Sequence, residues 1–176
     1  GRYDLSNTLT VRPGASLTVA AGVEFSASDN QILVRGDLSA EGVDFVNGEG
    51  QIVVDEFATA SLTGCYYDWG DLRAASDAEL NLGGCTLFET FVYFAQGASG
   101  TVSNCEGDDD DTWRITLDSG LVTITNCTEL LDVVFRADAE MTGSRAAYVV
   151  LEDDASPTIQ GCTLGDDAPI RIASPQ

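Results

Sequence analysis

The segments SLTGC at residues 61–65, NLGGC at 81–85, TVSNC at 101–105 and TITNC at 123–127 decide the fold of this chain. Each has an apolar residue at its second position, Gly or Asn at its fourth and Cys at its fifth. Gly and Asn enter the left-handed αL backbone conformation more readily than other residues. The cysteines are 20, 20 and 22 residues apart, which indicates a chain that turns at an equivalent point in every repeat.

The repeat extends beyond these segments in both directions. With the cysteines as anchors, the series continues backwards to Val43 and Val23 and forwards to Ser144 and Cys162. The residue before every anchor is Gly or Asn: Gly22, Gly42, Gly64, Gly84, Asn104, Asn126, Gly143 and Gly161. Seven steps span 139 residues, so one repeat has about 20 residues.

Apolar and polar residues alternate before each anchor, as in a strand with one buried face. A second apolar run follows in most repeats, for example at residues 32–34, 52–54 and 91–94. A β-sandwich is the alternative, but a sandwich does not require the same αL turn in every repeat, whereas a solenoid stacks like positions about 4.8 Å apart. We therefore predict an all-β fold, a right-handed parallel β-helix of about eight coils. It forms one domain over residues 1–176, with an N-terminal cap within residues 1–16.

The opening of the chain, LTVRPGASLTVAAGVEF at residues 9–25, resembles the first turns of right-handed β-helix proteins of bacterial and archaeal surfaces. The later steps Gly84-Cys85-Thr86, Asn126-Cys127-Thr128 and Gly161-Cys162-Thr163 resemble the pectate-lyase-like repeat. The resemblance implies a fold and a location outside the cell. It is almost silent on activity, because function is grafted onto folds.

Composition excludes several functions. The chain has 29 acidic residues but only eight basic ones, all Arg, and its net charge is −21. The absence of His and Lys excludes Ser-His-Asp catalysis, His-ligated zinc and a Walker A lysine. Such a charge repels nucleic acid and anionic membranes, and it suits high salt or divalent cations. The chain has no apolar run of about 18 residues, so we do not predict membrane insertion.

The five cysteines cannot all pair within the chain, because their number is odd. In the predicted register they point inward in one stack that Ser144 interrupts. We expect a ladder of buried thiols that act as small apolar side chains. Disulfides between coils and metal ligation are the alternatives. Parallel Cβ vectors suit a disulfide poorly, and one Cys per coil does not converge on a tetrahedral centre.

Acidic residues recur three to six positions after most anchors and are densest at Asp108, Asp109, Asp110 and Asp111. Carboxylate oxygens in a row are ligands that Ca²⁺ prefers, so these four aspartates are the predicted metal site. The competing interpretation is a solvated acidic edge without a bound ion.

Tyr66, Trp69 and Phe88 form the predicted carbohydrate-binding site, because they fall on adjacent coils and flat rings stack on sugars. Packing of a loop against the solenoid is the alternative. By its resemblance to polysaccharide lyases, such an enzyme would use an Arg base near Ca²⁺ carboxylates, and Arg114 is the candidate. Arg is a poor base because its pKa is so high.

These observations predict a non-enzymatic structural or adhesive module of the extracellular space or cell surface. We expect it to associate with itself, end to end into filaments, and to contact surface glycans. Neither a nucleic-acid partner nor a cofactor other than Ca²⁺ is expected. The alternative function is a carbohydrate-binding or polysaccharide-degrading β-helix protein.

Overall fold

The computed structural model describes residues 1–27, 30–46, 50–107, 113–152, 154–165 and 170–172, and for Trp69 the backbone alone. The described residues form strands and turns without any helix, and hence no helix that could cross a membrane. Parallel strands stack as a β-solenoid of about eight turns. The predicted all-β class and the coiling repeat are confirmed, while the handedness stays a prediction.

Each coil passes through a first arm, a second arm and a back strand. Coils 1 to 3 contain β1 (Arg2–Asp4), β2 (Leu9–Val11), β3 (Ser16–Val19), β4 (Glu24–Ser26), β5 (Gln31–Val34), β6 (Asp37–Glu41), β7 (Asp44–Val46), β8 (Gln51–Val54) and β9 (Thr59–Thr63). Coils 4 and 5 contain β10 (Tyr66–Ala74), β11 (Glu79–Gly83), β12 (Thr86–Phe94) and β13 (Ser99–Ser103). In these two coils one strand runs through both arms.

The remaining strands complete coils 6 to 8 and begin a ninth. They are β14 (Glu106–Gly107), β15 (Trp113–Leu117), β16 (Leu121–Thr125), β17 (Leu130–Phe135), β18 (Glu140–Thr142), β19 (Arg145–Leu151), β20 (Thr158–Gln160), β21 (Thr163–Leu164) and β22 (Ile170–Ile172). Residues 1–16, the predicted cap, form β1 and β2 and reach the first residue of β3. The arms make one 14-stranded sheet, and the back strands make an eight-stranded sheet that runs from β3 to β20.

The turn between the back sheet and the first arm is the same in every coil. All eight predicted turn residues have a positive φ, from 53° at Asn104 and Asn126 to 78° at Gly22. The backbone N–H of each turn residue from Gly22 to Gly143 donates a hydrogen bond to a carbonyl of the following coil. The bond from the Gly64 N–H to the Gly83 carbonyl, for example, is 2.8 Å long. The αL turn therefore sets the repeat and also carries part of the coil-to-coil hydrogen bonding.

Side chains that point inward form continuous columns along the solenoid axis. The anchor column is buried from Val43 to Ser144 and half-buried at Val23 and Cys162 near its ends. A second column stacks the rings of Tyr3, Phe25, Phe45 and Tyr67, with neighbouring centroids 5.7–5.8 Å apart. Each coil contacts only its neighbours, so an inward side chain is buried against the equivalent side chains of the adjacent coils. Burial of these apolar columns is the main source of stability.

Candidate functional site

The predicted thiol ladder is present in the core. Cys65, Cys85, Cys105 and Cys127 are at most 3% exposed, all five cysteines are free, and Cys162 is half-buried. Consecutive coils hold the cysteines in register, as the hydrogen bond from Thr86 N–H to the Cys65 carbonyl at 2.9 Å shows. Each of these coils contributes one cysteine, so a sulfur inside the stack has one sulfur above it and one below. Among the described residues, no three Cys, Asp or Glu side chains converge as metal ligands.

Each thiol is also tied to the backbone. The Cys85 thiol donates to the carbonyl of Leu62 at 3.4 Å, and that of Cys127 donates to Val102 at 3.4 Å. Hydrogen bonding with Cys105 raises the pKa of Cys85 to about 11, and burial adds to the shift. In the same way Cys127 raises the pKa of Cys105 to about 12. These thiols are protonated at neutral pH, so they are poor nucleophiles.

The predicted metal site, Asp108 to Asp111, lies outside the described residues. Two other members of the acidic series are described and engaged in ion pairs. Asp71 lies 2.6 Å from Arg73, and Asp132 lies 3.5 Å from Arg114. Their carboxylates stand three coils apart in one column and do not converge on a common point.

The structure brings two of the three predicted carbohydrate-binding residues close together. In the pairing of β10 with β12, Tyr66 lies beside Thr86 and Asp68 beside Phe88, so both aromatic residues are on adjacent coils of the first arm. Both side chains are half-buried. Trp69 belongs to β10, but its side chain lies outside the described residues. The prediction that these rings bind sugar stays a prediction.

Arg114, the candidate lyase base, lies on β15 with 58% of its side chain exposed. Its described ionic partner is Asp132, and the neighbouring Asp111 lies outside the described residues. The described surface also has an open groove lined by Glu129, Arg145 and Thr163. Glu129 and Arg145 form an ion pair across it at 3.7 Å.

The outward surface of the second arm is a feature that sequence reasoning missed. We call it the second-arm face, and it has three columns. The first contains Gln31, Gln51, Asp71, Phe91, Arg114, Asp132 and Tyr148. The middle one contains Thr10, Leu33, Val53, Arg73, Tyr93, Thr116, Val134, Val150 and Arg171. The third contains Arg12, Arg35, Asp55, Ala75, Ala95, Asp118, Arg136 and Glu152.

The second-arm face carries six of the eight arginines and five carboxylates, although the whole chain has a charge of −21. Ion pairs join neighbouring coils, with Arg35 2.9 Å from Asp55 and Arg136 2.7 Å from Glu152. At the centre, the rings of Phe91 and Tyr93 stack with centroids 6.4 Å apart. The signal in the sequence was the second apolar run, in which outward positions such as Leu33 and Val53 are apolar as well as inward ones.

Comparison of the chain with family models, with curated proteins and with solved structures finds no match. The pectate-lyase-like resemblance therefore stays a prediction, and the established level of description is the parallel β-solenoid.

Proposed function

We propose that this protein is a non-enzymatic structural or adhesive module of the extracellular space or cell surface, which associates with itself end to end. The observation that carries the proposal is the chemistry of the outermost described strands. Among the described residues, apolar side chains and strand edges are exposed there together, and a coil of a second copy stacked on them would cover both.

Large apolar side chains are exposed on the outermost described strands of the arms. The large apolar residues that are most exposed are Tyr3, Phe57, Leu121, Ile170 and Ile172. Three of these five belong to the outermost strands of the arms, with Ile172 80% and Tyr3 58% exposed. Contact between ends would remove this apolar surface from water.

The strand edges point to the same kind of contact. Among the described residues, no strand pairs with the outer side of β3 or of β20, which bound the back sheet. Unpaired backbone N–H and C=O groups on such edges are templates for another strand. A heterologous contact of this type repeats from copy to copy, and it produces filaments when the rotation between copies does not close a ring.

The rest of the molecule suits a structural role. One apolar core runs through all the coils, and many outward charges are paired between neighbouring coils. A solenoid built in this way is a stiff rod, because each coil is fixed by the coils on both sides. The excess of negative charge keeps such rods apart except where a specific surface joins them.

The test compares the wild type with the double variant Ile170→Asp and Ile172→Asp, by light scattering and electron microscopy over a range of protein concentrations. We expect filaments of the wild type that lengthen with concentration and short particles of the variant. Leu121→Asp is the matched control, because Leu121 is 65% exposed in the middle of the solenoid. Discrete wild-type particles under all conditions would refute end-to-end association. Equal loss of filaments in the Leu121→Asp control would refute it as well.

Carbohydrate binding is the second candidate, and the neighbouring positions of Tyr66 and Phe88 on the first arm favour it. Affinity electrophoresis in gels that contain neutral or acidic polysaccharide tests it directly. We expect retardation of the wild type and weaker retardation of Phe88→Ala. Equal mobility of both proteins in every gel would count against a sugar site at these rings.

A further inference from the structure

We propose that the second-arm face binds a second copy of this chain in an antiparallel, two-fold symmetric dimer centred on coil 5. Such a dimer is distinct from the proposed end-to-end association and uses other residues. A second copy fits this face because its arrangement of charged and apolar residues is complementary to itself.

The net charge restricts where two copies can meet. Two chains of −21 repel each other, and a stable contact needs a surface that does not share the excess of negative charge. The second-arm face meets this condition, with six arginines against five carboxylates in its three columns. Arg and aromatic residues are also the types that are enriched in protein interfaces.

The apolar residues of the middle column are arranged symmetrically about coil 5. A two-fold axis parallel to the strands at coil 5 places coil 3 opposite coil 7 of the second copy, and coil 2 opposite coil 8. Val53 then faces Val134, and Leu33 faces Val150. Tyr93 lies at the axis and faces its own copy, so one apolar strip continues across the centre.

The charged residues follow the same symmetry with opposite signs. In the third column, Arg35 of coil 2 faces Glu152 of coil 8, and Asp55 of coil 3 faces Arg136 of coil 7. In the first column, Asp71 of coil 4 faces Arg114 of coil 6. The mapping places no like charges directly opposite one another in the three columns.

A parallel dimer fits these residues less well. A two-fold axis that runs parallel to the solenoid axis, in the interface at the middle column, places each middle-column residue opposite its own copy, so that Arg73 faces Arg73 and Arg171 faces Arg171. Like charges that face each other across an interface are destabilising. The antiparallel arrangement avoids both contacts.

The size of the face predicts a weak dimer. Eight coils at about 4.8 Å and a width of about five strand residues at about 3.3 Å give roughly 600 Å² on each copy. This is less than the about 800 Å² per partner of a standard interface, so we expect dissociation in the micromolar range. Sedimentation equilibrium covers this range, in about 0.5 M NaCl to screen the net repulsion.

The decisive experiment introduces a charge pair across the predicted axis. Val53→Arg or Val134→Asp alone places a charge against a valine, and each should weaken the dimer by at least about tenfold. The double variant should recover dimerisation, because Arg at 53 then faces Asp at 134 of the second copy. Within one chain the two positions lie four coils, about 19 Å, apart, so the recovery requires contact between copies.

The matched control puts the same charges on coils 3 and 7 of the back sheet, as Ser61→Arg with Thr142→Asp. This variant should dimerise like the wild type. A monomeric wild type at every concentration, a monomeric wild type that binds polygalacturonate through this face, or a double variant no better than the singles would overturn the proposal. Retained dimers in Ile170→Asp with Ile172→Asp would separate this contact from the end-to-end one.

Discussion

The hydroxyl of Ser144 accepts a hydrogen bond from the backbone N–H of Cys127 at 3.0 Å and donates one to the carbonyl of Thr142 at 3.0 Å. Ser144 occupies the anchor position of its coil, where the four preceding coils have a thiol. It is 2% exposed, so both hydrogen bonds are made away from water. A hydroxyl at this level therefore satisfies a backbone donor of the neighbouring coil.

Ser144→Ala should lower the free energy of unfolding by about 1–3 kcal/mol, because it leaves the buried Cys127 N–H without an acceptor. Ser144→Cys should cost less, since a thiol fits this column and is a weak acceptor. Chemical denaturation of the three proteins measures the difference. Equal stability of the Ala and wild-type proteins would show that the hydrogen bond to Ser144 contributes nothing.

Stability should fall as the pH rises from about 9 to about 11. Hydrogen bonding between neighbours, with burial, raises the pKa of Cys85 to about 11 and of Cys105 to about 12 from the ordinary value of 9.0. Above pH 9 the unfolded chain loses these protons while the folded chain retains them, so unfolding becomes more favourable. Each of these two thiols lowers the free energy of unfolding by up to about 1.4 kcal/mol per pH unit.

Thermal unfolding between pH 7 and 11 measures this dependence. The double variant Cys85→Ala with Cys105→Ala should show a shallower alkaline decline, although it starts from a lower stability. The pKa of Cys127 is lowered, mainly by its hydrogen bond with Cys105, so that thiol does not add to the loss above pH 9. An identical slope in wild type and variant would contradict the assignment of the decline to the stack.

Gly100→Ala should destabilise the protein by at least about 2 kcal/mol, because Gly100 combines strain with a close contact. Its φ is 155°, and an added Cβ would lie 1.9 Å from the carbonyl oxygen of Leu80. Gly83 in the neighbouring β11 is the matched control, since its Cβ would lie 3.8 Å from the nearest atom, the Ser103 hydroxyl. Gly83→Ala should retain wild-type stability in the same denaturation experiment.

Added salt should raise the melting temperature by several degrees. The chain has 29 carboxylates against eight arginines, and compact folding concentrates that repulsion. Salt screens it over about 10 Å at 0.1 M and about 3 Å at 1 M. Calorimetry in NaCl at pH 7 measures the shift, and a melting temperature that falls with salt would show that the ion pairs on the second-arm face outweigh the repulsion.

Much of the fold was predictable because its determinants are local and periodic. The eight αL turns were placed residue by residue, since Gly and Asn tolerate a positive φ that other side chains resist. The burial of Cys65, Cys85, Cys105 and Cys127 followed from the same register. The role of Ser144 did not follow, because its hydrogen bond to Cys127 depends on how two coils are stacked.

The sequence by itself determined the coil length, the turn positions and the inward columns, because each is set by residues within one repeat. Only the tertiary structure decided which outward residues become neighbours across coils. Arg35 and Asp55 are 20 residues apart in the chain, yet they pair at 2.9 Å, and Phe91 and Tyr93 occupy the centre of a face with balanced charge. These relationships depend on the exact register of adjacent coils, in which a shift of one residue would turn every outward side chain inward.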